Sequence, residues 1–415
     1  MGAESSVGKR TQRSVRVSTK LMFDYQLLTA MIVMLIVGLV ILYSASWNYS
    51  LQMYDSGTAL LFKQMLHILV GGAACLVLTF IDYHHLQPLS VIMVVGSIGL
   101  LLLLIIDPLH SESANGYTRS VLSSGSVQPS ELAKISLIIF LSFWFSMEEN
   151  MLNHDWLRFI VLIALISVMG LLTLVQPDVS AAMCIVLFGI MMYFIYGGNV
   201  VLIMVLFFIL GVLLIVAYLF TDKVGNRFGD YFGGFLTPAG ASYHIRRSYN
   251  AIMNGGLFGV GIGKSVSKIT GLPYAWTDSI FAVILEETGV FGGAAVIFGY
   301  LYILYRGYVI FKGAPDTFGK LLAAGISSWI FIEASINVCV MLNLLPFAGN
   351  ALPLISYGGS SLACTMSGFG ILLNISRVSA RKAIEKERNE PDEVIDLRRR
   401  DWGWRVSRPG SSSDN

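Results

Sequence analysis

The sequence predicts an all-α polytopic membrane protein of about ten transmembrane helices, with a large extracytoplasmic loop between spans seven and eight. Three observations carry this. Of the 415 residues, 55% are hydrophobic and only 13% charged, against roughly 25% charged in soluble domains. Mean hydropathy is +0.69. The apolar residues also fall in runs long enough for crossing: a hydrocarbon core about 30 Å thick, at about 1.5 Å of helix rise per residue, takes about 20 of them.

Taken in order, the runs place spans near 24–46, 60–81, 87–106, 131–147, 157–175, 180–197, 199–220, 279–310, 318–341 and 360–376. Gly197 and Gly198 make a tight turn between spans six and seven. Lys9, Arg10, Arg13, Arg16 and Lys20 precede the first span, and Arg377, Arg381 and Lys382 follow the last. This positive bias puts both termini in the cytoplasm, which an even number of crossings also requires. The organisation is therefore a basic cytoplasmic tail, 1–22, a membrane domain, 23–377, and a polar tail, 378–415, expected to be disordered. The first apolar run is too long for a cleavable signal and lacks a small-residue cleavage site. The opening MGAESS leads into basic sequence, which argues against lipidation.

With this orientation the loops after odd-numbered spans face outward and hold most of the unusual residues. The longest, Thr221–Thr277, carries Lys223, Arg227, Arg246, Arg247, Lys264 and Lys268. A basic external loop runs against the positive-inside trend, so its cations are expected to meet an anionic ligand. Cys75, Cys184, Cys339 and Cys364 lie in apolar runs without CxxC or Cys/His spacing, as packing residues do. Neither a disulfide framework nor a nucleic-acid partner is expected.

Span eight opens with "TDSIFAVILEETGVFGG". Asp278 falls at its outer end, where Thr277 or Asp278 could cap the helix, or where Asp278 could act as a general base on a headgroup. Glu286 and Glu287 lie about 12 Å deeper and point about 100° apart. Buried charges need partners, so they are expected to be structural, bonded to polar groups such as Asn337 on span nine, with a proton relay as the alternative. In "VQPSELAK", Ser130 suits an N-cap and Glu131 a first turn, while Lys134, one turn into apolar sequence, either snorkels or neutralises a phosphate. In "QPDVS", Asp178 suits a cap or the support of a bound cation or sugar. "GGLFGVGIGKS" is not a phosphate-binding P-loop, because Phe258 stands where the first glycine belongs. It reads as a re-entrant glycine-rich segment, and no nucleotide cofactor is expected. "LPLISYGGSS" offers the hydroxyls of Ser356, Tyr357, Ser360 and Ser361 either to sugar hydroxyls or to the start of span ten.

Together "NGYTR", "QPSELAK", "QPD", "GGLFGVGIGKSVSK", "TDSIFAVILEETG" and "LPLISYGGSS", in this order from about Phe23 to Arg377, resemble the SEDS family, the FtsW/RodA/SpoVE group of bacterial cell-wall synthases. The resemblance implies a ten-span bundle that polymerises lipid II into glycan strands beside a class B penicillin-binding protein and other divisome or elongasome membrane proteins. It implies that Asp278 is the catalytic base, deprotonating the acceptor sugar's 4-hydroxyl in an inverting displacement of undecaprenyl pyrophosphate. Lys134, Arg119 and Lys268 match family cations for the leaving pyrophosphate, with a divalent cation, Mg or Mn, as a further candidate. Gln128, Glu131, Asp178, Arg247, Ser356, Tyr357 and Ser360 complete the expected substrate contacts. The chain departs from the family pattern at Ser120 after Arg119, at His244 and Arg247 in "SYHIRRS", and at Ser279. "LPLISYGGSS" is slightly closer to the FtsW type, which implies septal rather than elongation or sporulation synthesis. Two other functions compete: a lipid II flippase, which Glu286, Glu287, Lys63 and His67 would suit, and a scaffold that only recruits the crosslinking partner.

Overall fold

The computed structural model describes residues 23–106, 128–147, 155–176, 178–208, 243–346 and 349–389, with single positions between 211 and 233. The helices are α1 (Tyr25–Tyr54), α2 (Ala59–Phe80), α3 (Leu86–Ile106), α4 (Pro129–Ser146), α5 (Asp155–Val175), α6 (Val179–Tyr196), α7 (Tyr243–Gly255), α8 (Ile280–Gly313), α9 (Thr317–Met341) and α10 (Gly359–Asn389). No strand occurs among the described residues. Nine helices among them are long and apolar enough to cross a membrane. Residues 200–208 are also helical and begin the expected seventh span, whose remainder lies outside the described residues.

Polarity sorts the bundle into inner and outer helices. In α4, 78% of the most apolar window is buried, and in α9 72%, against 22% in α2. The reason is in the sequence of α4, where Ser130, Glu131, Lys134, Ser136 and Ser142 are all buried; such side chains in a span must face protein rather than lipid. α4 therefore packs among α3, α6 and α9. α2 packs on α10 and leaves Phe62, Leu66 and Leu69 exposed to the bilayer. A Cβ on Gly370 would lie 2.5 Å from the carbonyl oxygen of Cys75, so these two helices touch backbone to backbone.

Several element boundaries differ from the sequence expectation. Asp24, Asp178 and Asp316 cap α1, α6 and α9 by accepting backbone N–H groups. The N-cap of α4, however, is Gln128 rather than Ser130, because Pro129 takes the first helical position, where its missing N–H costs nothing. The N-cap of α8 is Ser279, one residue past Thr277 and Asp278, and no side chain caps it. α10 continues to Asn389, so the first residues of the tail expected to be disordered are helical. "RVSARKAIEKERN" explains this: it holds good helix formers and no glycine or proline before Pro391.

The largest departure is a break inside span eight. Gly289 has φ 71° and ψ −170°, a conformation open essentially only to glycine, and it splits α8 into a short buried N-terminal segment and a long C-terminal one. The glycine-rich segment after α7 repairs the break. Val260 N–H donates to Glu286 O and Gly261 N–H to Glu287 O, each at 3.0 Å, while Val290 N–H donates to Gly256 O at 3.1 Å. The expected re-entrant segment is thus a backbone patch on a broken helix, which is how irregular backbone survives inside a membrane protein.

Candidate functional site

Asp278 lies in the turn that leads from the glycine-rich segment into α8, and three consecutive carbonyls of that turn are held by three different groups. Tyr357 N–H donates to Trp276 O at 2.9 Å. Ser356 Oγ donates to Thr277 O at 2.7 Å, and Asn337 Nδ2 donates to Asp278 O at 2.9 Å. The segment after α9 and the helix α9 itself therefore fix the backbone on either side of one carboxylate. Asp278 is half-buried, and a Cβ on Gly349 would lie 2.5 Å from its Oδ2, so the absence of a side chain at 349 makes room for the carboxylate.

A buried polar network extends from this turn into the bundle. Asn337 Nδ2 also donates to Asn350 O at 2.6 Å, and Asn350 Nδ2 donates to Glu333 O at 3.1 Å. The Glu333 carboxylate pairs with Lys134, whose ammonium also bonds Glu131 at 2.8 Å. On the other side Ser180 Oγ donates to Gly349 O at 2.7 Å and contacts Asp178 Oδ1 at 2.8 Å. Asp178 Oδ2 accepts from Gln128 Nε2 at 2.9 Å, and Gln128 N–H donates to Ser360 Oγ at 3.2 Å. Gln128, Glu131, Lys134, Asp178, Ser356 and Ser360, expected to meet substrate, thus form connected packing around the Asp278 turn.

The expected cations change role. Lys134 neither snorkels nor faces a phosphate here: its side chain is 2% exposed between Glu131 and Glu333. Lys268 is equally committed, with Nζ 2.9 Å from Glu287, 2.7 Å from Ser44 Oγ and 2.8 Å from Gly263 O. Burial explains both corrections, since an ammonium out of water must find a carboxylate. Arg119 lies outside the described residues. Arg247 packs its guanidinium over the Tyr243 ring and donates from Nε to its hydroxyl at 3.2 Å.

Glu286 and Glu287 are buried and bonded, but not to Asn337. Glu286 accepts from Ser265 Oγ, from Ser267 Oγ at 3.0 Å, and from the N–H groups of Val266 and Ser267 at 3.3 Å. Glu287 accepts from Lys268 and, at 2.5 Å, from Ser44 Oγ. Asn337 is one turn above Glu333 on α9 and belongs to the Asp278 turn instead. Beyond Asp278, Ser279 Oγ donates to Pro273 O at 2.7 Å and meets His244 Nε2 at 2.9 Å. Burial pushes the His244 imidazole down to about 4, so it is neutral near pH 7.

Glu333, Asn350 and Gln64 escaped the sequence reading. Glu333 left a signal, a lone acid in the middle of an apolar span. Gln64, 2% exposed on α2, donates to Ser356 O at 3.2 Å and accepts from Gly358 N–H at 3.3 Å, a fit visible only in three dimensions. Among the described residues no group of three or more His, Cys, Asp or Glu side chains converges.

Comparison with known proteins matches this architecture. Residues 25–381 match the family model described as cell cycle protein, FtsW/RodA/SpoVE. Stage V sporulation protein E of Bacillus subtilis is 32% identical over 363 residues, covering 86% of this chain and 97% of that protein. The probable peptidoglycan glycosyltransferase FtsW of Trichlorobacter lovleyi is 35% identical over 365 residues, covering 85% and 93%. Among solved structures, a chain of a peptidoglycan synthase complex, studied for its coordination of polymerization and crosslinking, superposes with a TM-score of 0.71 at 23% identity, over 86% of this chain and 99% of that one. The rod shape determining protein RodA of Thermus thermophilus does so with a TM-score of 0.62 at 24% identity, over 86% and 98%. By the match of its whole membrane domain, the chain belongs to the FtsW/RodA/SpoVE family of cell cycle proteins.

Proposed function

We propose that this protein is a peptidoglycan glycosyltransferase that polymerises lipid II, with Asp278 as its general base. The observation that carries the reading is the Asp278 turn. A carboxylate at the end of a span, half-buried, with its flanking carbonyls locked by Tyr357, Ser356 and Asn337, is a preorganised base rather than a helix cap. Asp278 accepts the proton of the acceptor's 4-hydroxyl, the oxygen forms a bond to the donor's anomeric carbon, and the bond to undecaprenyl pyrophosphate breaks. One base on the attacking side gives inversion, and the departing pyrophosphate carries its own charge, so it needs stabilisation more than a proton. The name of the Trichlorobacter lovleyi relative, probable peptidoglycan glycosyltransferase FtsW, supports the activity class.

In this reading both termini are cytoplasmic, the Asp278 turn faces outward, and a class B penicillin-binding protein crosslinks the product. Septal synthesis is the favoured setting. One observation favours a flippase instead: discontinuous helices are a transporter feature, and α8 is broken. The carboxylates at that break are bonded by Ser265, Ser267, Lys268 and Ser44, however, which suits a brace better than a path. The test is to supply labelled lipid II to the purified chain with its crosslinking partner in detergent, where there is no second leaflet. Glycan strands on a gel are expected; unchanged lipid II, with the partner bound and the chain folded, would reject the polymerase.

A further inference from the structure

Lys134 and Lys268 are paired with carboxylates inside the protein, which leaves room for a further cation at a lipid-borne pyrophosphate. The outer end of α2 supplies one. Lys63 is exposed, makes no ion pair among the described residues, and rests its ammonium 4.0 Å above the Tyr54 ring. One turn along, the His67 ring lies 5.8 Å from the Tyr357 ring, and its buried Nδ1 has no hydrogen-bond partner. Tyr357 also feels the charge of Lys63, which works against the burial that raises its hydroxyl.

This cluster is registered to the base. Gln64, the residue after Lys63, bonds both Ser356 O and Gly358 N–H, and so clamps α2 to the segment that holds the carbonyls of Trp276 and Thr277. Trp276 in turn stacks on Tyr49 at 3.9 Å, closing an aromatic wall beside the Asp278 turn. Arg246 and Lys264 are exposed too, on α7 and on the glycine-rich segment.

We propose that Lys63, with His67 and Tyr357 beside it, binds the pyrophosphate of the polyprenyl-linked donor. The assignment rests on the polymerase reading for its meaning, but its chemistry is separable: an ammonium on an aromatic shelf, at the membrane's outer edge, taking a pyrophosphate ester. An ammonium held against a ring keeps its N–H donors free on the opposite side for phosphate oxygens. A phospholipid headgroup offers the same phosphate, and the experiment separates the two sources.

The full chain, purified in phospholipid-free detergent, is titrated with radiolabelled farnesyl pyrophosphate, with farnesol as the uncharged control. Lys63→Met keeps the stem over Tyr54 and removes the charge. It is expected to weaken farnesyl pyrophosphate by about tenfold and leave farnesol unchanged, while Lys63→Arg stays within a factor of about three. Equal binding by Lys63→Met and wild type, with matching unfolding temperatures, overturns the assignment. So does a deficit that appears only in phosphatidylglycerol bilayers, which would make the partner a headgroup. In the strand assay Lys63→Met should raise KM for lipid II more than it lowers kcat. If wild type makes no strands, the polymerase reading fails while the farnesyl pyrophosphate result still judges the site.

Discussion

Two acidic regions eight positions apart, one just before α8 and one inside it, are built in opposite ways. At the break in α8, Glu286 and Glu287 are buried and every element near them donates to them: Ser265, Ser267, Lys268 and Ser44. At the start of α8, Asp278 is half-buried, and the neighbouring elements bond its backbone. In the first region the side chains hold the fold. In the second the fold holds a side chain. Acidic residues eight positions apart thus differ in what their surroundings fix, the side chains at the break and the flanking carbonyls at the turn, as architecture and the proposed chemistry would each require.

The contrast can be broken most forcefully from the buried side. Glu287→Leu leaves the Lys268 ammonium 6% exposed with its carboxylate gone, a loss of about 3–5 kcal/mol of stability. Thermal unfolding in detergent should show a large drop; an unchanged unfolding temperature would mean that the pair is no brace. Gly289→Ala forces a side chain into a glycine-only conformation against Leu257 O and should cost about 1–3 kcal/mol by the same measurement.

Acid probes the ground between the two regions. His244 titrates at about 4 in the fold against 6.5 unfolded, so below about pH 6.5 the unfolded chain takes the proton first. The stability His244 contributes is present above pH 6.5 and is lost as pH falls from there through about 4, on the order of 3 kcal/mol. His244→Gln should flatten this acid limb of the unfolding temperature; an identical limb would assign it to other groups. The smallest effect on stability sharpens the comparison most. Gly349→Ala pushes on Asp278 Oδ2 alone, so it should cost less than about 1 kcal/mol while lowering kcat by about tenfold or more. Loss of fold without loss of specific activity would show that the space at 349 serves packing.

The described spans and their order were legible in the sequence because length and hydropathy are local signals, and the family pattern singled out Asp278, which the structure places just before α8. Two carboxylates in mid-span also announced that they needed partners. Which partners was not legible. Asn337 has the right chemistry for Glu286, but α9 places it beside Asp278, and the donors come instead from residues 265–268. Lys134 and Lys268 read as open cations because their neutralising acids, Glu333 and Glu287, are distant in sequence and near only once the helices pack. The break at Gly289 hid for a related reason: a single glycine in an apolar run is ordinary in a span, and its conformation is imposed by the backbone of Leu257 and Gly259. Ser130 suits an N-cap by residue type, but Pro129 before it takes the first helical position and moves the cap to Gln128.

The central claim is that Asp278 works and does not hold. Asp278→Asn, purified beside wild type, tests it when unfolding temperature and strand synthesis from lipid II are measured on the same preparation. The account predicts an unfolding temperature close to that of wild type and strand synthesis lower by a factor of about 10²–10⁴. Strands at the wild-type rate, or a collapse in stability with full activity per folded molecule, would contradict it.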